Sequence, residues 1–274
     1  MKKDYLNIEK KVVVITGAAG LLGMQYVEAI ASHGANLILI DLDKSRVDDI
    51  CKDIIREYKI KAIGFGIDIT DEEQVKSSAD ESLNVFGKID GLINNAANNP
   101  KVEDVNSEFS RLENFNLDAW NKDLAVGLTG SFLCSKYFGK IISETSKSGS
   151  IINISSDLGL IAPDQRLYKK KHLEDDKQSV KPVTYSVVKT GIIGLTRYLS
   201  TYWANKNLRC NALCPGGVEN GQDKEFINLV SSKIPLNRLA QKDEYNSIIL
   251  WMLSDSSSYL NGAVIPIDGG RTAW

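Results

Sequence analysis

Histidine is nearly absent from this sequence, and cysteine is sparse and unpaired. Only His33 and His172 occur, and Cys51, Cys134, Cys210 and Cys214 show no C-x-x-C spacing, so neither a metal site nor a disulfide framework is expected. A reduced, metal-free, cytoplasmic protein is the plain expectation. An excess of one charge is missing too: 33 basic against 35 acidic residues leave a formal charge of -2, with no global field to draw nucleic acid or an anionic membrane. No run approaches the roughly 18 uncharged apolar residues of a membrane span, and Met1 to Glu9 holds no apolar export core. No repeat, low-complexity tract or Pro/Gly/Ser-rich linker divides the 274 residues, so one domain over residues 1–274 is expected. The partners left are small molecules and copies of the chain itself.

What is present is an alternation of strands and helices. Lys11 to Thr16 is a β-branched run of the kind buried on both faces of a parallel sheet, and it stops at Gly17-Ala-Ala-Gly-Leu-Leu-Gly23 before a helical pattern. Strand, glycine turn and helix form a phosphate cradle: small residues let the backbone approach a pyrophosphate, and the helix N-terminus offers it N–H groups. A tight turn with helix-packing glycines is the plainer alternative. The second strand, Asn36 to Asp41, places Asp41 eighteen residues after Gly23, where a carboxylate accepts from ribose hydroxyls and repels a 2′-phosphate. NAD is therefore favoured over NADP, unless Asp41 only caps the next helix, a task Asp43 can also perform.

Further units follow: a helix over Lys44 to Tyr58, a strand over Lys61 to Asp68, a helix from Thr70 or Asp71 to Phe86, and a strand over Ile89 to Asn94. Repeated βα units give a doubly wound parallel α/β sheet with helices on both faces. Asp68 and Asn94-Asn95-Ala96-Ala97 end their strands on the carboxyl edge, where ligands bind. Beyond an irregular stretch from Asn98 to Trp120, a long helix is expected over Leu124 to Ile142. A fifth strand, Ser150 to Ser156, brings two hydroxyls to the same edge. A sixth, Leu208 to Cys214, is broken by Pro215-Gly216-Gly217; a short helix near Asp223 to Ser231, a helix over Lys242 to Leu253 and a strand over Ala263 to Asp268 complete the chain.

Tyr185 and Lys189 stand four residues apart at the start of an apolar-periodic helix, and therefore share a face. A neighbouring ammonium favours the phenolate and pulls the phenol pKa, ordinarily about 10, toward neutrality. Tyr185 can then exchange a proton with a substrate hydroxyl or carbonyl. The bland alternative is a surface tyrosine beside a solvated lysine. Between Ser156 and this helix lies an irregular stretch, residues 157–182, holding Arg166, Lys169-Lys-Lys171, His172 and Glu174-Asp-Asp176. It reads either as a solvated flap or as a lid whose cations, Arg166 and Lys169 to Lys171, meet an anionic substrate.

Taken together, Thr16-Gly17 with Gly20 and Gly23, Asp68, Asn94-Asn95-Ala96, Ser156, Tyr185 with Lys189, Pro215-Gly216 and Asp268-Gly269 resemble the short-chain dehydrogenase/reductase family, from about Lys11 to Gly270. The resemblance implies a seven-stranded Rossmann-like sheet, a nicotinamide cofactor and an oxidoreductase acting on a hydroxyl/carbonyl pair of a small polar substrate. It implies Tyr185 as acid/base, Lys189 lowering its pKa and holding the nicotinamide ribose, and Ser156 orienting the substrate oxygen. It implies cofactor contacts at Gly17, Gly20, Leu22, Gly23, Asp41, Asp68, Ile69, Asn95, Ala96, Tyr185, Lys189, Pro215, Gly216 and Val218. A homodimer or homotetramer through the helices around Leu124 to Ile142 and Tyr185 to Trp203 is implied as well.

Three departures accompany the resemblance. The glycines at 17, 20 and 23 are spaced as in the nucleotide-sugar branch; Gly127 stands where the family has an active-site asparagine; and Ser156 and Tyr185 are 29 residues apart, about twice the usual separation. Ile161-Ala-Pro163 and Asn220-Gly-Gln222 resemble, weakly, bacterial oxidoreductases of flagellin-modification and sialic-acid-like sugar pathways. A non-catalytic NAD-binding scaffold, favoured by Gly127, and an epimerase or dehydratase, favoured by the glycine spacing, are the competing expectations.

Overall fold

Val12–Thr16 (β1) is buried along its whole length, as its β-branched composition requires of a central parallel strand. The computed structural model describes residues 5–98, 110–170 and 173–274. Around β1 are Asn36–Asp41 (β2), Ala62–Gly66 (β3), Gly91–Asn94 (β4), Gly149–Ile154 (β5), Leu208–Pro215 (β6) and Val264–Ile267 (β7), in the order β3-β2-β1-β4-β5-β6-β7. Every neighbouring pair is parallel. The order reverses between β1 and β4, so their carboxyl ends diverge and open a crevice there.

The helices are Leu21–Ser32 (α1), Lys44–Tyr58 (α2), Glu72–Phe86 (α3), Leu117–Leu124 (α4), Ser131–Thr145 (α5), Val183–Tyr202 (α6), Lys224–Ser231 (α7) and Asn246–Leu253 (α8). Because side chains alternate across a strand, the sheet feeds two cores. Val13, Ile15, Leu37, Leu39 and Ile152 pack with residues of α1, α2 and α8 on one face. Val12, Val14, Ile38, Ile40 and Ile151 pack with residues of α3, α5 and α6 on the other. Among the described residues no helix is long and apolar enough to cross a membrane.

Several boundaries differ from the sequence expectation. β3 stops at Gly66, where close packing on Lys44 of α2 leaves no room for a Cβ, and Asp68 lies in the following loop. The helix expected over Leu124 to Ile142 begins earlier, where Asn116 accepts from the Asp118 N–H (2.6 Å). It passes through a π turn, Ala125–Gly130, before continuing as α5. Two close approaches bracket that turn: a Cβ at Gly127 would run into Val188, and one at Gly130 would lie 2.5 Å from Ile69 Cδ1. Pro215 does not break β6 but ends it, paired with Ile267, and the last long helix starts at Asn246 rather than Lys242.

Candidate active site

The glycine turn after β1 is held by the end of β4. Thr16 Oγ1 accepts from the backbone N–H groups of Asn95 (3.0 Å) and Ala96 (3.1 Å), while Asn95 Nδ2 donates to the carbonyls of Thr16 (3.0 Å) and Gly17 (3.1 Å). Gly17 sits at φ 62°, and a Cβ on it would lie 2.9 Å from Ala96 Cα, so no other residue fits. A Cβ at Gly23 would run into the Gly17 carbonyl, which makes Gly23 the support behind the turn. Helix α1 starts at Gly20 without a side-chain cap, so its first N–H groups face the crevice with only backbone around them.

Asp41, at the tip of β2, accepts from the Ala19 N–H at 3.0 Å and from the Leu42 N–H at 2.8 Å. It does not cap α2; Asp43 does, accepting from Arg46 N. The carboxylate is therefore committed to the mouth of the glycine turn. Gly17, Gly20, Leu22 and Asp41 line a pocket of about 1140 Å³ that continues past Asp68, Ile69, Asn95 and Ala96. It then reaches Pro215, Gly216 and Val218, and ends at Ser156, Tyr185 and Lys189. Of the residues expected at the site, Gly23 alone is off its wall, for the reason just given.

At the inner end, Ser156 Oγ donates to Asp157 Oδ1 at 2.8 Å, and the other oxygen of Asp157 accepts from Arg271 Nη1 at 2.9 Å. The Asp157 and Arg271 side chains are 4% and 10% exposed, so this ion pair is nearly dry. Lys189 Nζ donates to the Ile154 carbonyl at 2.9 Å, 5.9 Å from the centroid of the Tyr185 ring. Lys181 stands closer, 3.9 Å from that centroid. Burial lowers Lys189 to about 8, helped by the like charge of Lys181, and burial lowers Lys181 to about 8 as well.

Tyr185 behaves differently from the sequence expectation. Burial pushes its phenol above the ordinary value; the opposing influences are a hydrogen bond with Ser156 and the charge of Arg271, while Asp157 pushes it up further. Lys189 shares the helix face but points at a backbone carbonyl, so it does not lower the phenol's pKa in this state.

Residues 11–168 match the short chain dehydrogenase model and residues 174–272 the enoyl-(acyl carrier protein) reductase model. The chain is a short-chain dehydrogenase/reductase. It is 30% identical to trans-4-hydroxycyclohexanecarboxylate dehydrogenase of Sinomonas cyclohexanicum, over 97% of this chain and 95% of that one. It is 28% identical to 2,5-dichloro-2,5-cyclohexadiene-1,4-diol dehydrogenase of Sphingobium indicum, over 97% and 99%. The fold matches an NAD+-bound xylitol dehydrogenase with a TM-score of 0.81 at 24% identity, covering 96% of this chain and 99% of that one. Membership makes it an oxidoreductase of hydroxyl/carbonyl groups that binds a nicotinamide cofactor. That excludes the non-catalytic scaffold.

In this short-chain dehydrogenase/reductase, the cations expected at the substrate entrance are rearranged. Arg166 holds Asp164 through two bonds of 2.8 Å, with 78% of its side chain exposed and off the pocket wall. Lys169 and Lys170 do reach the pocket wall, with Lys169 also paired to Asp175 at 2.9 Å, and Lys171 and His172 lie outside the described residues. The stretch 157–182 is not a solvated flap either. Leu167 is buried against Val230, Ile234 and Leu239, and the Tyr168 and Phe226 rings meet at 5.8 Å.

Gly127 lines a cavity of about 20 Å³ together with Asp123, Thr184, Tyr185 and Lys189. The pocket residues that sequence reasoning missed are Asp157, Lys181 and Arg271. Lys181 had a signal, the same four-residue spacing before Tyr185 that Lys189 has after it; Arg271, 114 positions from Asp157, had none.

Proposed function

We propose that this enzyme is an NAD-preferring dehydrogenase/reductase that interconverts a secondary alcohol and a ketone on a compact polar substrate. The observation that carries the reading is the single pocket joining the Gly17–Gly20 turn and Asp41 to the hydroxyls of Ser156 and Tyr185. The cradle fits a dinucleotide: uncapped N–H groups open α1, no Cβ obstructs Gly17 or Gly23, and Asp41 faces the position of the adenosine ribose. When bound, the nicotinamide supplies or accepts the hydride.

The chain's own residues do the rest. Ser156 and Tyr185 hold the substrate oxygen between their hydroxyls, and Tyr185 takes the proton in oxidation or returns it in reduction. Because burial resists the phenolate, the Ser156 hydrogen bond and the charge of Arg271 oppose that cost as it forms, with the Lys181 ammonium over the ring. Lys189 is proposed to turn from the Ile154 carbonyl to the nicotinamide ribose. The two ring-alcohol relatives support a cyclic secondary alcohol as substrate. The sugar-pathway resemblance is weaker support for a polyol or nucleotide sugar: Asn220 and Gln222 reach the pocket wall, but Ile161 and Pro163 do not.

Fluorescence titration with NADH and NADPH tests the cofactor. Tighter NADH binding, relaxed in Asp41→Ala, is expected; tighter NADPH binding would sink it. Hydride transfer is tested by NADH formation with cis- and trans-4-hydroxycyclohexanecarboxylate, cyclohexanol and xylitol.

A further inference from the structure

The inner end of the pocket carries more positive charge than proton transfer requires. Among the described residues around Ser156 and Tyr185, Lys181, Lys189 and Arg271 line the wall with one buried carboxylate, Asp157, between them. The other acids of the pocket lie elsewhere: Asp41, Asp43 and Asp68 at its far end, and Asp223 and Glu225 at the start of α7, where Asp223 caps the helix. Lys189 donates to the Ile154 carbonyl, and Lys181 and Arg271 line the same pocket as Ser156 and Tyr185.

Lys181 covers one face of the Tyr185 ring at 3.9 Å. Arg271 lies one carboxylate away from the Ser156 hydroxyl, and a guanidinium with five donors keeps several after giving one to Asp157. Holding two cations in a largely dry pocket is costly, and the lowered pKa of Lys181 reflects that cost. A ligand that brings its own negative charge offsets it. The remaining wall is apolar, from Leu167, Tyr168, Phe226 and Val230.

We propose that Lys181 and Arg271 form a carboxylate subsite, so that the substrate is a hydroxy acid with a compact hydrocarbon body between its carboxylate and its carbinol carbon. This rests on the proposed function, since it places the anion relative to the same Ser156 and Tyr185. It assigns both residues as specificity determinants, distinct from the surface cation Arg166. The carboxylate is held by the two cations, and the hydrocarbon body lies against Leu167 and Tyr168.

The test uses an unreactive probe, so that it does not depend on turnover. Cyclohexanecarboxylate and cyclohexanecarboxamide are titrated calorimetrically into the NAD-loaded protein, parent and variants. The acid should bind at least about ten-fold more tightly than the amide, as charge-assisted bonds allow. Lys181→Met should bring the two within about two-fold of each other, and Lys181→Arg should restore the preference. Arg271→Met leaves Asp157 buried without its partner and can fail to fold, so Arg271→Lys is measured beside it and Lys181→Met decides.

Equal or undetectable binding of acid and amide by the parent, or an acid preference untouched by Lys181→Met, overturns the subsite. If the acid binds preferentially while no alcohol in the screen yields NADH, the reaction is wrong and the subsite stands. If hydroxy acids and cyclohexanol are oxidised with equal kcat/KM, the subsite is wrong and the reaction stands.

Discussion

Tyr185 is held where burial works against the very ionisation its role demands, so its phenol depends on its neighbours more than an exposed tyrosine would. Tyr185→Phe should therefore lower kcat by about a thousand-fold, within the usual range for losing a general acid/base, while NADH binding changes little; steady-state kinetics and fluorescence titration check both. Lys181 gives a sharper signature. Its folded pKa, about 8, is below the ordinary 10.5, so the native state resists the proton. The destabilisation is full below pH 8 and fades as pH rises from 8 to 10.5. Lys181→Met should therefore be more stable than the parent at pH 7, by on the order of 3 kcal/mol before relaxation, and the gap should close toward pH 10.5. Urea denaturation of both proteins across that range measures it, and a gap that widens with pH contradicts the assignment.

At the scale of elements, what could be read in advance was what repeats locally. The β-branched strands, the capping residues Asp43 and Asp71 and the glycine turn each leave a pattern within a few residues, and β1, β2, α2 and α3 fall where those patterns put them. The π turn at Ala125–Gly130 has no such signature, because it answers to Val188 and Ile69, distant in sequence. The same holds for the Asp157–Arg271 pair: neither residue has a local reason to be ionic and dry, and only the fold brings them together. Residues Ser156, Tyr185 and Lys189 were legible as a set, but the direction in which Lys189 points was not.

Gly127 yields a prediction at this scale. Gly127→Asn should destabilise the protein by about 2 kcal/mol, since the new side chain meets Val188. Val188→Ala in the same chain should recover most of that loss; thermal melts of the single and double variants decide. A second prediction concerns residues 157–182. The double variant Arg166→Ala/Lys177→Ala removes ion pairs that face solvent away from the pocket, so kcat/KM should stay within about two-fold and Tm should move little.

For the whole molecule, the surface of α5 and α6 gives the clearest expectation. Phe132, Tyr198 and Tyr202 are 49%, 62% and 61% exposed, and the two tyrosine rings stack at 5.7 Å. Exposed rings on these two helices offer an apolar surface that a second copy of the chain could bury. The protein should sediment as a dimer or tetramer at micromolar concentration, and Tyr198→Lys/Tyr202→Lys should shift it toward monomer; a monomeric parent refutes this.

The four buried cysteines make the molecule its own stopwatch. Cys51 belongs to the core layer under α1, α2 and α8, Cys134 and Cys210 to the layer under α5 and α6, and Cys214 lines neither surface but sits on β6 behind the pocket. Burial pushes every one of these thiols up, Cys51 to about 11 and Cys134 to about 12, so a thiol reagent at neutral pH must wait for the protein to open. Cys51, near the outer strands, should be modified first. Cys134 and Cys210 should follow together at the rate of global unfolding. Mass spectrometry of timed alkylation would thus record, sulfur by sulfur, which face of the sheet comes apart before the other.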